Sequence, residues 1–503
     1  MLRRCASRID RYSVRVPNSD VPLLRVQSLG DQPVRREGDY VVYWMVAQRR
    51  RRANFALQRA VEWCKELGKP LLVLEPLRCD YRWASDRIHR FVIAGMRDNA
   101  ADFAESGVTY HPYVEPKKGA GKGLLAALCE RACVVVTDEF PGFFVPRMVA
   151  AAAAKLTVRM EQVDGIGLLP LRAADKIFAR AVDFRRFLQR TLAPHLSEFP
   201  AGEPLRTEVA AGAVIPAAIA RRWPRASAAM LDGDADALAQ LPIDHSVPPV
   251  TDVRGGAAAA GALLRRFLRE RLSQYPDRSH PGTEVASGLS PYLHFGHVSP
   301  HQIFAGLAKQ EGWGPQKLRA KADGARGWFG MSEAAEGFLD QFVTWRELGF
   351  NLCSRRSDFD EFESLPDWAK ATLSKHATDE REHLYTLPDF ATAATHDPLW
   401  NAAQRQLVQQ GTIQNYLRML WGKKVLEWTR TPEEAFAILV ELNNRYALDG
   451  RDPNSYSGIG WIFGRYDRPW APERSIYGQI RYMSSVNTVK KLRMGDYEQR
   501  FAK

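Results

Sequence analysis

Between Tyr40 and Val136, short apolar runs alternate with helical periods. Tyr40 to Met45 (YVVYWM) reads as a buried strand, and a helical period from Asn54 to Leu67 stops at Gly68. Leu71 to Leu74 is a second strand, Ser85 caps a helix running to about Ser106, and Val108 to Tyr113 and Cys133 to Val136 are the third and fourth strands. Such alternation predicts a parallel sheet with right-handed crossovers, which binds ligands at the carboxyl edge of its strands. That edge includes Arg49 to Arg52 and Asp138 with Glu139. No G-x-G-x-x-G or Walker motif stands there, so neither a dinucleotide nor a triphosphate is indicated.

The pattern loosens from Pro170 to Gly256, where prolines and small residues dominate. An interdomain connection is predicted over 171–256, with a helical stretch from Lys176 to Leu192 packed on the first domain. From Ala257 onward no strand is convincing and helical segments follow one another. The chain therefore divides into a flexible basic arm (1–35), an α/β domain (36–170), the connection, and an all-α domain (257–503).

The densest chemistry lies between Asp397 and Trp461. Asp397 with Pro398 opens a helix that Gly411 ends, and Thr431 with Pro432 opens another that ends near Asn443 and Asn444. Between them, Ile413, Leu417, Leu420, Trp421, Val425 and Trp428 form an apolar helix face, while Asn415, Arg418 and Gly422 share a second stripe. Gly422, at a cost of about 1 kcal/mol against alanine, would let something flat and polar approach the backbone. Ser287, Gly288 and Ser290, just ahead of a helix from Pro291, offer an anion site at a helix N-terminus; Ser290 also reads as an ordinary cap. Tyr275 precedes them. His294, His297 and His301 fall near one helix face, but with no carboxylate or thiolate beside them they read as buried or first-turn histidines, and no metal is expected. Gln341, Trp345 and Leu348 share a stripe.

Composition changes this picture in one respect. A chain of 503 residues with 45% hydrophobic and 25% charged residues is an ordinary globular protein of two or three units. Its net charge of +12 favours a polyanionic partner, and several of its 13 tryptophans fall near arginine in the C-terminal half, which suits stacking on bases. The six cysteines contain no C-x-x-C pair, so a reducing compartment is the easier reading. No apolar run is long enough to span a membrane, and an intracellular protein is expected. The Arg-rich opening MLRRCASRIDRYSVRV could mimic an organellar transit peptide; a flexible arm is the blander reading.

The strings SGLSPYLHFG, DPLWNAAQ, NYLRMLWGKKVLEW, LNNRYALDGRDPN and IRYMS together resemble the class II cyclobutane pyrimidine dimer photolyases, from about Tyr40 to the C-terminus and most strongly after Ser287. The resemblance implies a Rossmann-like α/β antenna domain followed by an all-α FAD-binding domain, with FAD held in a U shape and an antenna chromophore of unspecified identity. It implies a monomer acting on dimer-containing DNA. Tyr275, Ser287, Gly288, Leu289 and Ser290 match the family's FAD-phosphate positions. Arg346, Asn415 and Arg418 fall near the cofactor, with Arg418 paired to Asp449, and Asn443 matches the asparagine that faces flavin N5, although from the residues alone it reads as a helix C-cap.

Trp421, Trp400 and Trp428 match tryptophans that carry electrons to the oxidised flavin; Trp421 and Trp428 stand two turns apart, about 10 Å, with Trp400 as a bridge. Trp345, Met419 and Trp461 match lesion contacts, and Arg451, Arg465, Arg468 and Arg481 are candidates for DNA phosphates. The implied reaction needs no acid, base or metal from the protein: light drives an electron from reduced FAD into the flipped-out dimer, and the electron returns after the ring splits. Where the family places a dimer-binding glutamate, this chain has Gln341. The alternative is a cryptochrome-like photosensor using the same flavin and tryptophans; the few residues after Arg481 leave no long signalling tail.

Overall fold

A computed structural model describes residues 19–502 apart from 207, 208, 211, 281, 282, 321, 323 and 493. Residues 1–18 of the expected arm lie outside the described residues. Six strands, β1 (Val26–Ser28), β2 (Tyr40–Trp44), β3 (Leu71–Leu77), β4 (Thr109–Val114), β5 (Ala132–Glu139) and β6 (Met160–Asp164), form one sheet in the order β1-β6-β5-β2-β3-β4. All neighbours are parallel except β1, which runs antiparallel to β6. Helices α1 (Phe55–Leu67), α2 (Asp86–Ala104), α3 (Leu124–Cys129) and α4 (Val145–Ala153) follow β2, β3, β4 and β5. Asn54 caps α1 by accepting from the Leu57 N–H at 3.0 Å, and Gly68 ends it in the left-handed conformation. Ser85 precedes α2, but its hydroxyl makes no capping bond.

Two strands are not predicted by the apolar pattern. In β6 (MEQVD) the charge hides the burial: Glu161 is inside, accepting from Arg59 Nε at 2.8 Å and Trp63 Nε1 at 2.9 Å. The edge strand β1 lies within the expected basic arm, and Arg25 just before it is fully buried, donating to the carbonyls of Gly167 and Leu168. The part of the arm from Arg25 is therefore part of the fold.

The carboxyl edge of the sheet is used by the chain itself. Asp138 accepts from the N–H groups of Val46, Ala47 and Gln48 and from the Tyr43 hydroxyl. Arg49 pairs with Glu75 at 3.0 Å and Glu139 with Arg172 at 2.6 Å, while Arg50 donates to the Gly296 carbonyl at 2.9 Å. A Cβ on Gly296, whose φ is +70°, would collide with the Ala47 carbonyl, so the helical half seats against this edge at a glycine. Of the groups expected to line a ligand crevice, Arg50 instead bonds across the seam to the helical half, while Arg49, Asp138 and Glu139 are taken up by partners within the α/β domain and the connection after it.

Within the connection, helix α5 (Ala181–Thr191) does not sit on the sheet. Its apolar residues Phe184 and Leu188 join the cluster containing Leu339, Phe342 and Val343, and Arg185 pairs with Asp340. From Ala257 onward the described residues contain helices and no strand. Arg87 of α2 fastens the two halves: its guanidinium donates to the carbonyls of Leu407, Val408, Tyr446 and Pro248. Burial pushes its pKa down to about 10, so it stays charged while serving carbonyls in the last turns of two helices. Among the described residues no helix is long and apolar enough to cross a membrane.

Candidate functional site

Three successive helices carry the candidate residues. Asp397 opens Pro398–Gln410 by accepting from the Trp400 N–H at 3.0 Å, and Gly411 closes it at φ 64°. Gln414 caps Asn415–Glu427 through its Oε1, 3.0 Å from the Leu417 N–H. Thr431 caps Pro432–Tyr446, which runs past Asn443, so Asn443 is an interior helix residue rather than a C-cap.

The three tryptophans form a row. Trp400 lies between the other two, its ring 6.4 Å from Trp421 at 9° and 6.1 Å from Trp428 at 66°. All three are buried. Two of them are oriented by hydrogen bonds: Trp400 Nε1 donates to the Trp421 carbonyl at 2.9 Å, and Trp421 Nε1 to the buried Gln404 Oε1 at 3.0 Å. A row of indoles at this spacing can pass an electron in short steps.

The turn after the third helix gathers polar groups. Arg418 Nη2 lies 3.8 Å from Asp449 Oδ1, which is shielded from solvent and accepts no hydrogen bond. Asn443 is 4% exposed and reaches Asn444 Oδ1 with its amide at 3.3 Å. The Gly450 Cα lies so close to the Asn443 carbonyl that a Cβ would come within 2.7 Å of it. Tyr275 faces the same helices: Gln414 Nε2 donates to the Arg278 carbonyl at 2.7 Å, and the Arg278 guanidinium lies 4.8 Å over the Tyr275 ring. Burial pushes the Tyr275 phenol up to about 12, keeping it a neutral donor. Asn415 is exposed at the first turn of its helix.

Several expectations are corrected. Arg451 is 2% exposed at φ +69°, its guanidinium spent on the carbonyls of Asn444 and Leu448, and Arg465 is 6% exposed and bound to Ser364. Neither presents a charge to a phosphate. Arg346 is buried and donates to the Ile166 carbonyl at 2.7 Å, so it ties the helical half to the loop after β6. The helix after Ser287 begins at Ser290, not Pro291, and lasts five residues; Ser290 is exposed and does not cap it, and the Ser287 hydroxyl accepts weakly from the Leu289 N–H at 3.4 Å. Gly288 has φ +69°, and Leu289 is buried. Gly422 does admit a close approach, but by an apolar group: a Cβ there would strike Ile462 Cδ1 from the Pro453–Ile462 helix. The three histidines do not share a helix: His294 ends Ser290–His294, His297 lies in the bend after it, and His301 stands in the first turn of Pro300–Gln310; His297 and His301 are buried, and His294 pairs with Asp452 at 3.2 Å, a carboxylate the local sequence does not show. Among the described residues no cluster of histidine, cysteine, aspartate or glutamate could hold a metal.

A second surface forms where Trp345 stacks on Trp461, with ring centroids 4.8 Å apart at 29°, both half-buried. Gln341 is also half-buried and lies on the same turn of helix as Trp345, and Met419 adjoins Arg418. Arg468 and Arg481 are exposed and both lie over the ring of Trp470, at 5.3 and 5.5 Å. Trp470 is missed by sequence reasoning; its signal is an exposed tryptophan between two arginines that adjoin only after folding.

Lys423 is also missed. Its buried ammonium donates to the Ile462 carbonyl, at the end of the helix that bears Trp461. Burial pushes its pKa down from 10.5 to about 7, an effect Asp467 only partly offsets. Between these values the unfolded chain holds a proton the folded chain releases, so this lysine makes stability rise with pH, by at most about 1.4 kcal/mol per unit. Lys423→Met should remove that contribution, read as the difference between variant and parent in urea titrations near pH 7 and near pH 10. An identical slope in both proteins would contradict it.

No protein-family model matches the sequence. Over 482 residues the chain is 34% identical to the deoxyribodipyrimidine photo-lyase of Methanothermobacter thermautotrophicus, covering 95% of this chain and 97% of that protein. It is 33% identical over 470 residues to that of Potorous tridactylus, covering 92% of this chain and 81% of that one. Its fold is similar to that of a bacterial class III photolyase from Agrobacterium tumefaciens, with a TM-score of 0.65 at 18% identity, over 92% of this chain and 86% of the other.

Proposed function

The chain belongs to the deoxyribodipyrimidine photo-lyase family, and on that premise we propose that it repairs cyclobutane pyrimidine dimers in DNA with light and FAD, in the manner of the class II enzymes. One observation carries the reading: a solvent-shielded acceptor, Asp449 Oδ1, stands without a donor beside Arg418 and Asn443. A shielded carboxylate oxygen that accepts no hydrogen bond is costly even beside a guanidinium 3.8 Å away, and a ligand N–H would supply the donor. The adjoining donors and acceptors fit the ring system and phosphates of a flavin dinucleotide, which would supply, when reduced and excited by blue light, the electron that opens the dimer.

The residues then have distinct tasks. Arg418 and Asp449 hold one edge of the cofactor, Asn443 offers an amide that can donate or accept, and Tyr275, Ser287, Gly288, Leu289, Ser290 and Asn415 line its phosphate and ribityl side. Arg346 is left out, being committed to Ile166. Trp428, Trp400 and Trp421 pass electrons in sequence along the buried row toward the flavin. The Trp345 and Trp461 stack, with Met419, receives the flipped bases, and Arg468, Trp470 and Arg481 engage the DNA around them. Nothing in the geometry favours the photosensor alternative. The reading is tested in the dark: an oligonucleotide bearing one dimer should bind more than about tenfold tighter than its undamaged counterpart, and equal affinity would contradict it.

Gln341 can hydrogen-bond a thymine carbonyl or N–H but brings neither proton nor charge. Gln341→Glu should therefore raise the yield of dimer splitting per absorbed photon. A variant yield equal to the parent's would remove this position as a limit on repair.

A further inference from the structure

Residues Asp340–Trp345 form a turn of π-helix between the α-helices Glu333–Leu339 and Arg346–Arg355. A π turn carries an extra residue, is rare, and concentrates at functional sites because it re-aims the side chains around it. Here it carries Gln341 and Trp345. Left alone, the extra residue can migrate along the helix, and each one-residue shift of register rotates a side chain by about 100°. Something must fix where the wide turn begins.

Three contacts do so. Phe342 stacks on Phe338 at 5.4 Å and 7°, and Phe338 meets Tyr275 edge-on at 5.4 Å. Trp345 is stacked on Trp461 at the far end. At the near end, Arg185 donates to Asp340 Oδ1 twice, from Nε at 3.0 Å and Nη2 at 2.7 Å. The two side chains are 16% and 12% exposed, so the pair is charge-assisted and largely withdrawn from solvent. Arg185 is the contact that comes from outside the helical half, on α5 of the proline-rich connection. Asp340 is the residue immediately before Gln341.

We propose that Arg185 is a positioning residue for dimer recognition, pinning the start of the π turn through Asp340 and so setting the direction of Gln341 and Trp345. This rests on the reading that Gln341 and Trp345 face the dimer. It gives the connecting segment a part in substrate recognition that its loose sequence does not suggest.

The test uses the full chain with its flavin, in four variants: Arg185→Ala, Asp340→Asn, the reversed pair Arg185→Asp with Asp340→Arg, and Trp345→Ala. Three quantities are measured: dark affinity for a dimer-containing oligonucleotide, affinity for the same oligonucleotide undamaged, and the rate of flavin photoreduction. Arg185→Ala and Asp340→Asn should each weaken dimer binding about tenfold, with the reversed pair recovering most of the loss, as expected of residues acting through one contact. Undamaged binding and photoreduction should stay at parental values, which a general loss of folding would not allow. Parental dimer affinity in Arg185→Ala overturns the inference, as does a parallel fall in all three quantities. If Trp345→Ala itself binds dimers like the parent, the underlying reading of this surface fails, and the inference with it; if only Trp345→Ala loses affinity, the inference alone fails.

Discussion

Trp400→Phe is expected to all but stop photoreduction of the oxidised flavin while leaving dimer splitting by chemically reduced protein near the parental level. Trp400 stands between Trp421 and Trp428, touching each at about one ring spacing. Phenylalanine keeps an aromatic ring in the slot but is far harder to oxidise than an indole, so the inner and outer tryptophans lose their intermediate station. The substitution also leaves the Trp421 carbonyl without the Trp400 Nε1 donor and opens a small void, together costing about 1–3 kcal/mol of stability. That loss is tolerable in a domain of this size and is checked by thermal unfolding. The decisive readout is the bleaching of flavin absorbance under blue light with an external reductant, compared with dimer splitting after dithionite reduction. Parental bleaching in the variant would mean that electrons enter by another route.

Asp449→Ala should yield folded protein that retains little flavin. Removing the carboxylate takes away the acceptor offered to the ligand and strands the Arg418 guanidinium, a quarter exposed, beside the same space. The expected loss is about tenfold to hundredfold in flavin affinity, the scale of a charge-assisted hydrogen bond with its partner left unpaired. Bound flavin per polypeptide, followed by reconstitution with added FAD, measures it. Parental stoichiometry and affinity would remove the Arg418 and Asp449 pair from the clamp.

The parts of the fold legible in the sequence are those where one period and one signal agree. Asn54 and Gly68 bracket α1, and Asp397 and Gly411 bracket the Trp400 helix, because caps act locally and their chemistry is written in adjacent residues. β6 is illegible because Glu161 reads as surface until Arg59 and Trp63, about a hundred residues away, are brought to it. In the candidate site, the placing of Trp400 between Trp421 and Trp428 and of Arg418 beside Asp449 is legible through the family motif, which ties together residues that local periodicity does not. Arg451 and Arg465 mislead for the opposite reason: an arginine near a basic surface looks available until its guanidinium is found capping carbonyls inside. Gly422 shows a subtler limit, since a glycine announces a close approach without saying by what; only the crossing of two helices supplies Ile462. The π turn at Asp340 and its tether to Arg185 have no local sequence signature, because they depend on a segment distant in the chain.

The central claim is light-driven splitting of pyrimidine dimers, and it is tested most directly by mixing photoreduced protein with a dimer-containing oligonucleotide and following thymine absorbance with and without blue light. Recovery of absorbance that begins with illumination and stops in the dark is the result predicted. No light-dependent recovery, from protein that carries reduced flavin and binds the oligonucleotide, would contradict the account.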